Sequence, residues 1–134
     1  MHTSTDIQEI IYVSTLAADE PLRAVADIAG KSRSTNRRLN ITGLLVFDGM
    51  NFCQQLEGGA QELAELMAHI QKDPRHTQVT VVHQGPLDKR RFWNFSLGYT
   101  SAEDIEALER LRQLQGQPAV DAFVALISGL DVEG

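Results

Sequence analysis

The chain has 134 residues, 43% of them apolar and 22% charged, and it carries a net charge of −6 at pH 7. These values are typical of one globular domain with a sizeable core. The acidic balance argues against a nucleic-acid-binding surface, which needs clustered Lys and Arg. No apolar run approaches the roughly 20 residues of a membrane span, and the N-terminus lacks an apolar signal stretch.

Cys53 is the only cysteine, so an internal disulfide is excluded and a reducing compartment fits. We therefore expect a cytoplasmic protein without a membrane span. The position of Cys53 in a predicted strand favours a packed side chain over a reactive thiol. The four histidines show no paired ligand spacing, so no metal site is predicted.

The first strand and helix are marked by apolar periodicity. Residues 7–15 form a strand that is apolar on both faces, as a strand covered on both sides would be. A helix is predicted to begin near residues 19–21. The basic run at 31–38 suits the solvated end of this helix, with a nearby phosphate-bearing ligand as the alternative. One stripe of the helix changes from apolar to polar along Ile28, Ser32 and Asn36.

The remaining elements follow from periodicity and turn residues. In chain order they are strands at 41–47 and 51–57, a helix at 60–72, strands at 79–83 and 91–100, and two C-terminal helices separated by Gly116. Asp48-Gly49 is a hairpin turn signal. Ser101 and Asp104 resemble a capping box before the first C-terminal helix, and the last helix is predicted to reach Leu130.

The order of elements predicts an α+β fold, a ferredoxin-like βαββαββ sandwich. Two helices cover one sheet face, and the two amphipathic C-terminal helices cover the other. We expect a single domain over 1–134, with a ligand-binding core at 7–100 and a C-terminal helical pair at 101–134. For the last helix, core packing and a partner or dimer surface are both open.

Two polar side chains stand at interior positions. Alternation in the third strand puts Gln54 on the same face as Phe52 and Leu56. A buried carboxamide without partners costs about 1–3 kcal/mol, and Tyr12 in the apolar first strand raises the same question. Taken alone, each could be a satisfied core residue. Together they favour a flat, polar ligand held beside them.

At this point the chain resembles a known family. Residues 36–45 look like the N-x-x-x-x-I-T-G-L-L signature of BLUF domains, the flavin-based sensors of blue light. Residues 52–58 are similar to the family's F-x-Q-x-x-E-G, and Tyr12 followed by x-Ser fits as well. The match continues at 73–76 and 91–92. Four motifs in the family's order and spacing make the resemblance specific.

Over roughly residues 8–100, the resemblance implies a non-covalent flavin between the two helices, FAD in most members and FMN as the alternative. Tyr12 would donate an electron to the excited ring, and Gln54 would bridge Tyr12 and the ring's N5/O4 edge. Asn36 would hydrogen-bond the O4/N3 edge. The other implied binding residues are Ile28, Phe52 and Ile70 against the ring, Arg75 and His76 at the pyrimidine edge, and Ser14 and Ser32 behind these contacts.

The implied function is a blue-light photoreceptor rather than an enzyme. A glutamine carries both a donor and an acceptor, so it can exchange one hydrogen-bond pattern for another. Light would thus rearrange the bonds of Tyr12 and Gln54 and give a red-shifted signalling state. Output would pass to an unidentified protein partner or through homo-oligomerisation.

The fifth strand departs from the family pattern R-F-P-D-W-S-M-G-F. Phe95 stands in place of the usual tryptophan and Leu97 in place of the usual methionine, both implicated in passing the signal to the sheet. Trp93, two positions before Phe95, would still put an indole on that strand face. We predict that these three residues form the signal relay. Thr35 stands where the family often has Asn or His and is expected to loosen one contact to the flavin.

Two other functions are open. One is an acylphosphatase-like hydrolase on the same sandwich, and the other is a non-photoactive regulatory module for a small molecule. The hydrolase needs an arginine on a glycine-rich loop after the first strand. Residues 14–18 contain neither arginine nor glycine.

Overall fold

The computed structural model describes residues 7–17, 24–93, 95–99, 106–127 and 131–133, with the backbone alone at 95–99 and 131–133. The elements are β1 (Ile7–Leu16), α1 (Ala24–Arg38), β2 (Thr42–Phe47), β3 (Asn51–Gly58), α2 (Ala60–Lys72), β4 (His76–Leu87), β5 (Phe95–Tyr99), α3 (Ala107–Arg112), α4 (Gln117–Ile127) and β6 (Asp131–Glu133). The predicted βαββαββ order is confirmed.

The strands form one sheet in the order β4-β1-β3-β2-β5-β6. Neighbours are antiparallel except β2 and β5, which run parallel. Because β4 and β5 lie on opposite sides of the β1-β3-β2 centre, the connection between them passes the ends of these three strands.

Two predicted strands have the wrong bounds. β4 is longer than 79–83, and β5 begins at Phe95 rather than at 91. α4 is described as far as Ile127, and β6 is an edge strand that the sequence did not predict. The predicted helix start at 19–21, the capping box at 101–104 and the predicted helix end at Leu130 lie outside the described residues.

Two cores lie on opposite faces of the sheet because side chains alternate along each strand. On one face α1 and α2 pack on the sheet, with side chains such as Ile28 and Leu63 against Leu56. On the other face α3 and α4 pack, with Leu111 and Phe123 against strand residues that include Cys53. The predicted four-helix arrangement is confirmed. Within the described ranges, no helix has the length and apolar character needed to cross a bilayer.

The β2–β3 hairpin is built by the residues that predicted it. The Asp48 carboxylate accepts the backbone N–H groups of Met50 and Asn51 at 2.9 and 2.6 Å. Gly49 has a φ of +101°, a left-handed conformation that glycine adopts without a steric penalty. This turn fixes the register that sets Gln54 across from its neighbours on β2.

Gly43→Ala should destabilise the protein by about 3 kcal/mol or more, because a β-carbon would meet packed backbone. At a φ of +152° its β-carbon would lie 1.9 Å from the backbone oxygen of Gln55. Urea denaturation measures the loss. Gly30→Ala is the matched control, since nothing lies within 4 Å of its added carbon, and it should stabilise the helix by about 0.5–1 kcal/mol. Equal effects at the two glycines would contradict this account.

Candidate functional site

The centre of the site is a pair of facing side chains on β1 and β3. Tyr12 and Gln54 lie directly opposite each other in the antiparallel register. The Tyr12 hydroxyl donates a hydrogen bond to Gln54 Oε1, and both side chains are buried. Burial raises the pKa of Tyr12 far above its usual range, helped by Cys53 and Asp73. The phenol is therefore a protonated donor at any physiological pH.

A cleft lies over this pair between α1 and α2. Its empty volume, including the part that is open to solvent, is about 480 Å³. Each helix contributes side chains at i, i+3, i+4 and i+7, the spacing of one helical face. The α1 residues are Ile28, Lys31, Ser32 and Thr35, and the α2 stripe with its following turn supplies Leu66, His69, Ile70 and Asp73. Tyr12, Gln54, Arg75 and His76 complete the wall.

Seven of the nine predicted binding residues line this cleft. The other two are Asn36 and Phe52, which are fully buried and do not form its surface. The ring of Phe52 packs instead against those of Phe47 and His76, with centroids 4.8 and 5.0 Å away. The sequence prediction missed four lining residues. Helical spacing could have identified three of them: Lys31 is three positions after Ile28, and His69 and Asp73 are three and seven positions after Leu66. The fourth is Leu66 itself.

Asn36 is the unsatisfied polar group beside the site. It lies one helical turn beyond Ser32, and neither its Oδ1 nor its Nδ2 has a hydrogen-bond partner among the described residues. Buried polar atoms are almost always paired. A ligand edge that presents both a donor and an acceptor would satisfy both atoms, as the edge of a flavin ring does.

The family comparison decides the identity of this site. Residues 7–98 match the family model described as BLUF, sensors of blue light using FAD.

The chain belongs to the BLUF family.

Several relatives of known function share this domain. The blue light- and temperature-regulated antirepressor BluF of Escherichia coli K12 is 30% identical over 83 residues, which are 62% of this chain and 21% of that protein. Photoactivated adenylate cyclase subunit beta of Euglena longa is 38% identical over 86 residues, 62% of this chain and 10% of that protein. The chain thus spans about a tenth to a fifth of these relatives.

Solved BLUF structures share the fold. BlrB in its dark state is 27% identical with a TM-score of 0.76, covering 93% of this chain and 97% of that one. Klebsiella pneumoniae BlrP1 with FMN and cyclic diGMP is 28% identical with a TM-score of 0.65, covering 92% of this chain and 30% of that one. As a BLUF domain, the chain is a blue-light sensor that binds a flavin. This assignment does not support the acylphosphatase alternative.

The predicted placement of Trp93 on the fifth strand is wrong. Its side chain is 100% exposed and lies in the connection before β5, not on the strand. It therefore does not share a strand face with Phe95. Phe95 and Leu97 lie on β5, paired with Gly43 and Leu45 of β2, but their side chains are outside the described residues. Cys53 is a packed core residue as predicted, and burial raises its pKa to about 12.

The end of α2 holds a set of charged and polar contacts beside the flavin cleft. The Arg75 guanidinium donates to both oxygens of Asp73, and this hydrogen bonding holds the pKa of the Asp73 carboxyl below its usual range. His76 Nδ1 lies 3.0 Å from the hydroxyl oxygen of Ser14. Among the described residues, no group of three or more His, Cys, Asp or Glu side chains could hold a metal ion.

His76 should make the protein less stable in mild acid. Burial is the main cause that lowers the pKa of His76; Arg75 adds to it and Asp73 opposes it. The unfolded chain therefore takes up this proton more readily, so stability falls as the pH drops below the ordinary histidine pKa of about 6.5. Urea midpoints in the dark at about pH 7.5 and about pH 5.5 measure the fall.

His76→Gln should reduce that fall, because the substituted side chain does not titrate. His69→Gln is the matched control, since His69 is exposed on the same side of the cleft. An equal pH dependence in the wild type and in the His76 variant would contradict the assignment.

Proposed function

We propose that blue light is converted into a signal by rearrangement of the Tyr12–Gln54 hydrogen bond. The observation that carries this proposal is the buried bond between the two side chains at the floor of the cleft. In the described part of the chain, Gln54 is bonded through its amide oxygen alone. Its amide nitrogen is therefore available to a ligand in the cleft.

The bound flavin supplies absorption of blue light and a strongly oxidising excited state. Tyr12 is an oxidisable phenol that burial keeps protonated. When Tyr12 gives up an electron, its proton can pass along the existing bond to Gln54 Oε1. When electron and proton return, no net reaction has occurred, but the Gln54 amide can be left rotated or as its tautomer. A Gln54 amide changed in this way would make a different hydrogen bond to a bound flavin, and the flavin absorption band would shift to the red.

We propose FAD as the resident flavin. The family is described by its use of FAD, although one BlrP1 structure contains FMN. Lys31 lines the cleft on α1 and offers a cation for a phosphate group, which both flavins carry. Mass spectrometry of the flavin released by heat distinguishes the two, and a preparation containing FMN alone would contradict the choice.

We propose that residues 7–100 form the sensor core and that the C-terminal elements carry the signal outward. α3 and α4 cover the sheet face opposite the flavin cleft, so they contact the backs of the photoactive strands. The E. coli relative is named as an antirepressor. Transfer to a separate protein partner fits this arrangement, with light-dependent self-association as the second candidate. Sedimentation in the dark and in blue light separates them.

Blue light should shift the flavin absorption band reversibly to the red. Tyr12→Phe should retain the flavin and lose the shift, because phenylalanine has no hydroxyl to donate to Gln54. Difference absorption spectra before and after illumination provide the measurement. A colourless protein that does not take up added flavin would contradict the proposal and would favour the non-photoactive regulatory module.

A further inference from the structure

A cluster of buried polar side chains lies on the sheet face opposite the flavin cleft. Glu9, Gln55 and Glu57 are at most 1% exposed. Gln55 Nε2 donates to Glu9 Oε2 at 2.8 Å and to Glu57 Oε1 at 3.0 Å. The amide thus bridges two carboxylates on neighbouring strands. Buried carboxylates are costly unless they are paired, so the cluster requires the donors around it.

Within the described ranges, the Glu57 carboxylate accepts hydrogen bonds from four donors. Besides Gln55, its carboxylate accepts the Thr42 hydroxyl at 2.6 Å and the backbone N–H groups of Arg91 and Phe92 at 2.9 and 3.0 Å. The two backbone donors belong to the connection between β4 and β5. One carboxylate on β3 therefore holds β2 and the segment that leads into β5.

Two arginines of the same connection complete the attachment. The Arg90 guanidinium donates to Thr42 Oγ1 at 2.8 Å, to the Glu57 backbone oxygen at 3.1 Å and to the Asn40 backbone oxygen at 2.9 Å. The Arg91 guanidinium donates to Glu9, and this hydrogen bond raises the pKa of Arg91 above its usual range. The connection is thus fixed to β1, β2 and β3.

The cluster begins at the residue after Gln54. Gln54 and Gln55 are consecutive on β3, so their side chains lie on opposite faces of the sheet. Any rotation of the β3 backbone that accompanies a change at Gln54 therefore moves the Gln55 amide. Gln55 Oε1 is buried without a partner among the described residues, so a reoriented amide has an unused acceptor. A reorientation of the Gln55 amide would exchange its hydrogen bonds to Glu9 and Glu57.

We propose that Glu57 is a positioning residue that couples the photoactive strand to the connection at 88–93. In the dark the Glu57 carboxylate accepts hydrogen bonds from the backbone N–H groups of Arg91 and Phe92. After illumination the hydrogen bonds of the Gln55 amide to Glu9 and Glu57 change. The bonds from Arg91 and Phe92 to Glu57 then weaken, and the connection before β5 becomes more mobile. This inference rests on the proposed function, because it takes the change at Gln54 as its starting event.

Hydrogen exchange of the full chain, in the dark and under blue light, tests the proposal. Wild-type protein should show faster exchange in the light at residues 88–93. Glu57→Gln presents an NH₂ group toward donors and loses half of its acceptor sites. This variant should retain the red shift of the flavin band but lose the light-dependent difference at 88–93. Thr42→Val, which removes one of four donors, should reduce the difference and carries the test if Glu57→Gln does not fold.

Glu65→Gln is the matched control, because its side chain is half-exposed on α2 and pairs with Arg38 at 3.9 Å. It should behave as the wild type. A red shift without any exchange difference at 88–93 in the wild type would overturn the coupling proposal, as would a full difference in a folded Glu57→Gln or Thr42→Val variant. Absence of the red shift in the wild type would instead overturn the proposed function.

Discussion

Gln54→Leu should abolish the light-induced red shift while the protein still binds flavin. Leucine has nearly the volume of glutamine but neither a donor nor an acceptor, so the Tyr12 hydroxyl loses its partner. The cost to stability should be about 1–3 kcal/mol, because a buried hydroxyl is left unpaired. Absorption spectra of the purified variant in the dark and after blue light measure the loss.

Gln84→Leu is the matched control for this experiment. The Gln84→Leu substitution makes the same chemical change on β4, where the side chain is exposed. The red shift and the flavin content of this variant should therefore equal those of the wild type. If the Gln54 variant shifted normally, the hydrogen-bond mechanism would be wrong even though the family assignment would stand.

Asn36→Leu should weaken flavin binding and stabilise the flavin-free protein. Both polar atoms of the Asn36 amide are buried without partners among the described residues. Removing them should raise the unfolding free energy of the flavin-free protein by about 1–3 kcal/mol. The variant would also lose the two hydrogen bonds that Asn36 is predicted to make to the flavin, which should weaken flavin binding by about tenfold to a hundredfold. Urea denaturation of flavin-free protein and fluorescence titration with FAD measure the two effects.

The opposite signs make this prediction specific to a ligand-binding amide. Ser34→Leu introduces the same side chain on the exposed face of α1 and should change neither quantity substantially. If Asn36→Leu lowered stability without weakening flavin binding, the amide would serve the fold rather than the ligand.

Local chemistry was sufficient to predict the main architecture and the centre of the site. Helical spacing put Ile28 and Ser32 on one stripe that lines the cleft, and strand alternation placed Gln54 inward beside Leu56. The position of Ile70 at the ligand came from the family resemblance. These features depend on neighbours along the chain, which a sequence displays directly. The pairing of Tyr12 with Gln54 came from the family resemblance, because strand register depends on contacts between distant segments.

The errors arose where tertiary contacts override local pattern. β6 comes after the apolar helical pattern of α4 in the sequence and pairs with the edge of β5, a long-range contact that local pattern does not display. Trp93 looks like a strand residue, but its neighbours Arg91 and Phe92 donate their backbone N–H groups to Glu57 instead of to a strand. The cluster around Glu57 joins β1, β2 and β3 to the following connection, so no local pattern could predict it.

The route of the chain from β4 to β5 has a mechanical consequence. Four interstrand spacings separate these strands in the sheet, a distance of about 19 Å. The residues from Leu87 to Phe95 can span at most about 26–29 Å when fully stretched. The distance that the connection must cross is therefore well over half of its maximum length. Adding a few residues to the connection would leave the position of β5 less constrained, and removing a few would pull β5 away from β2.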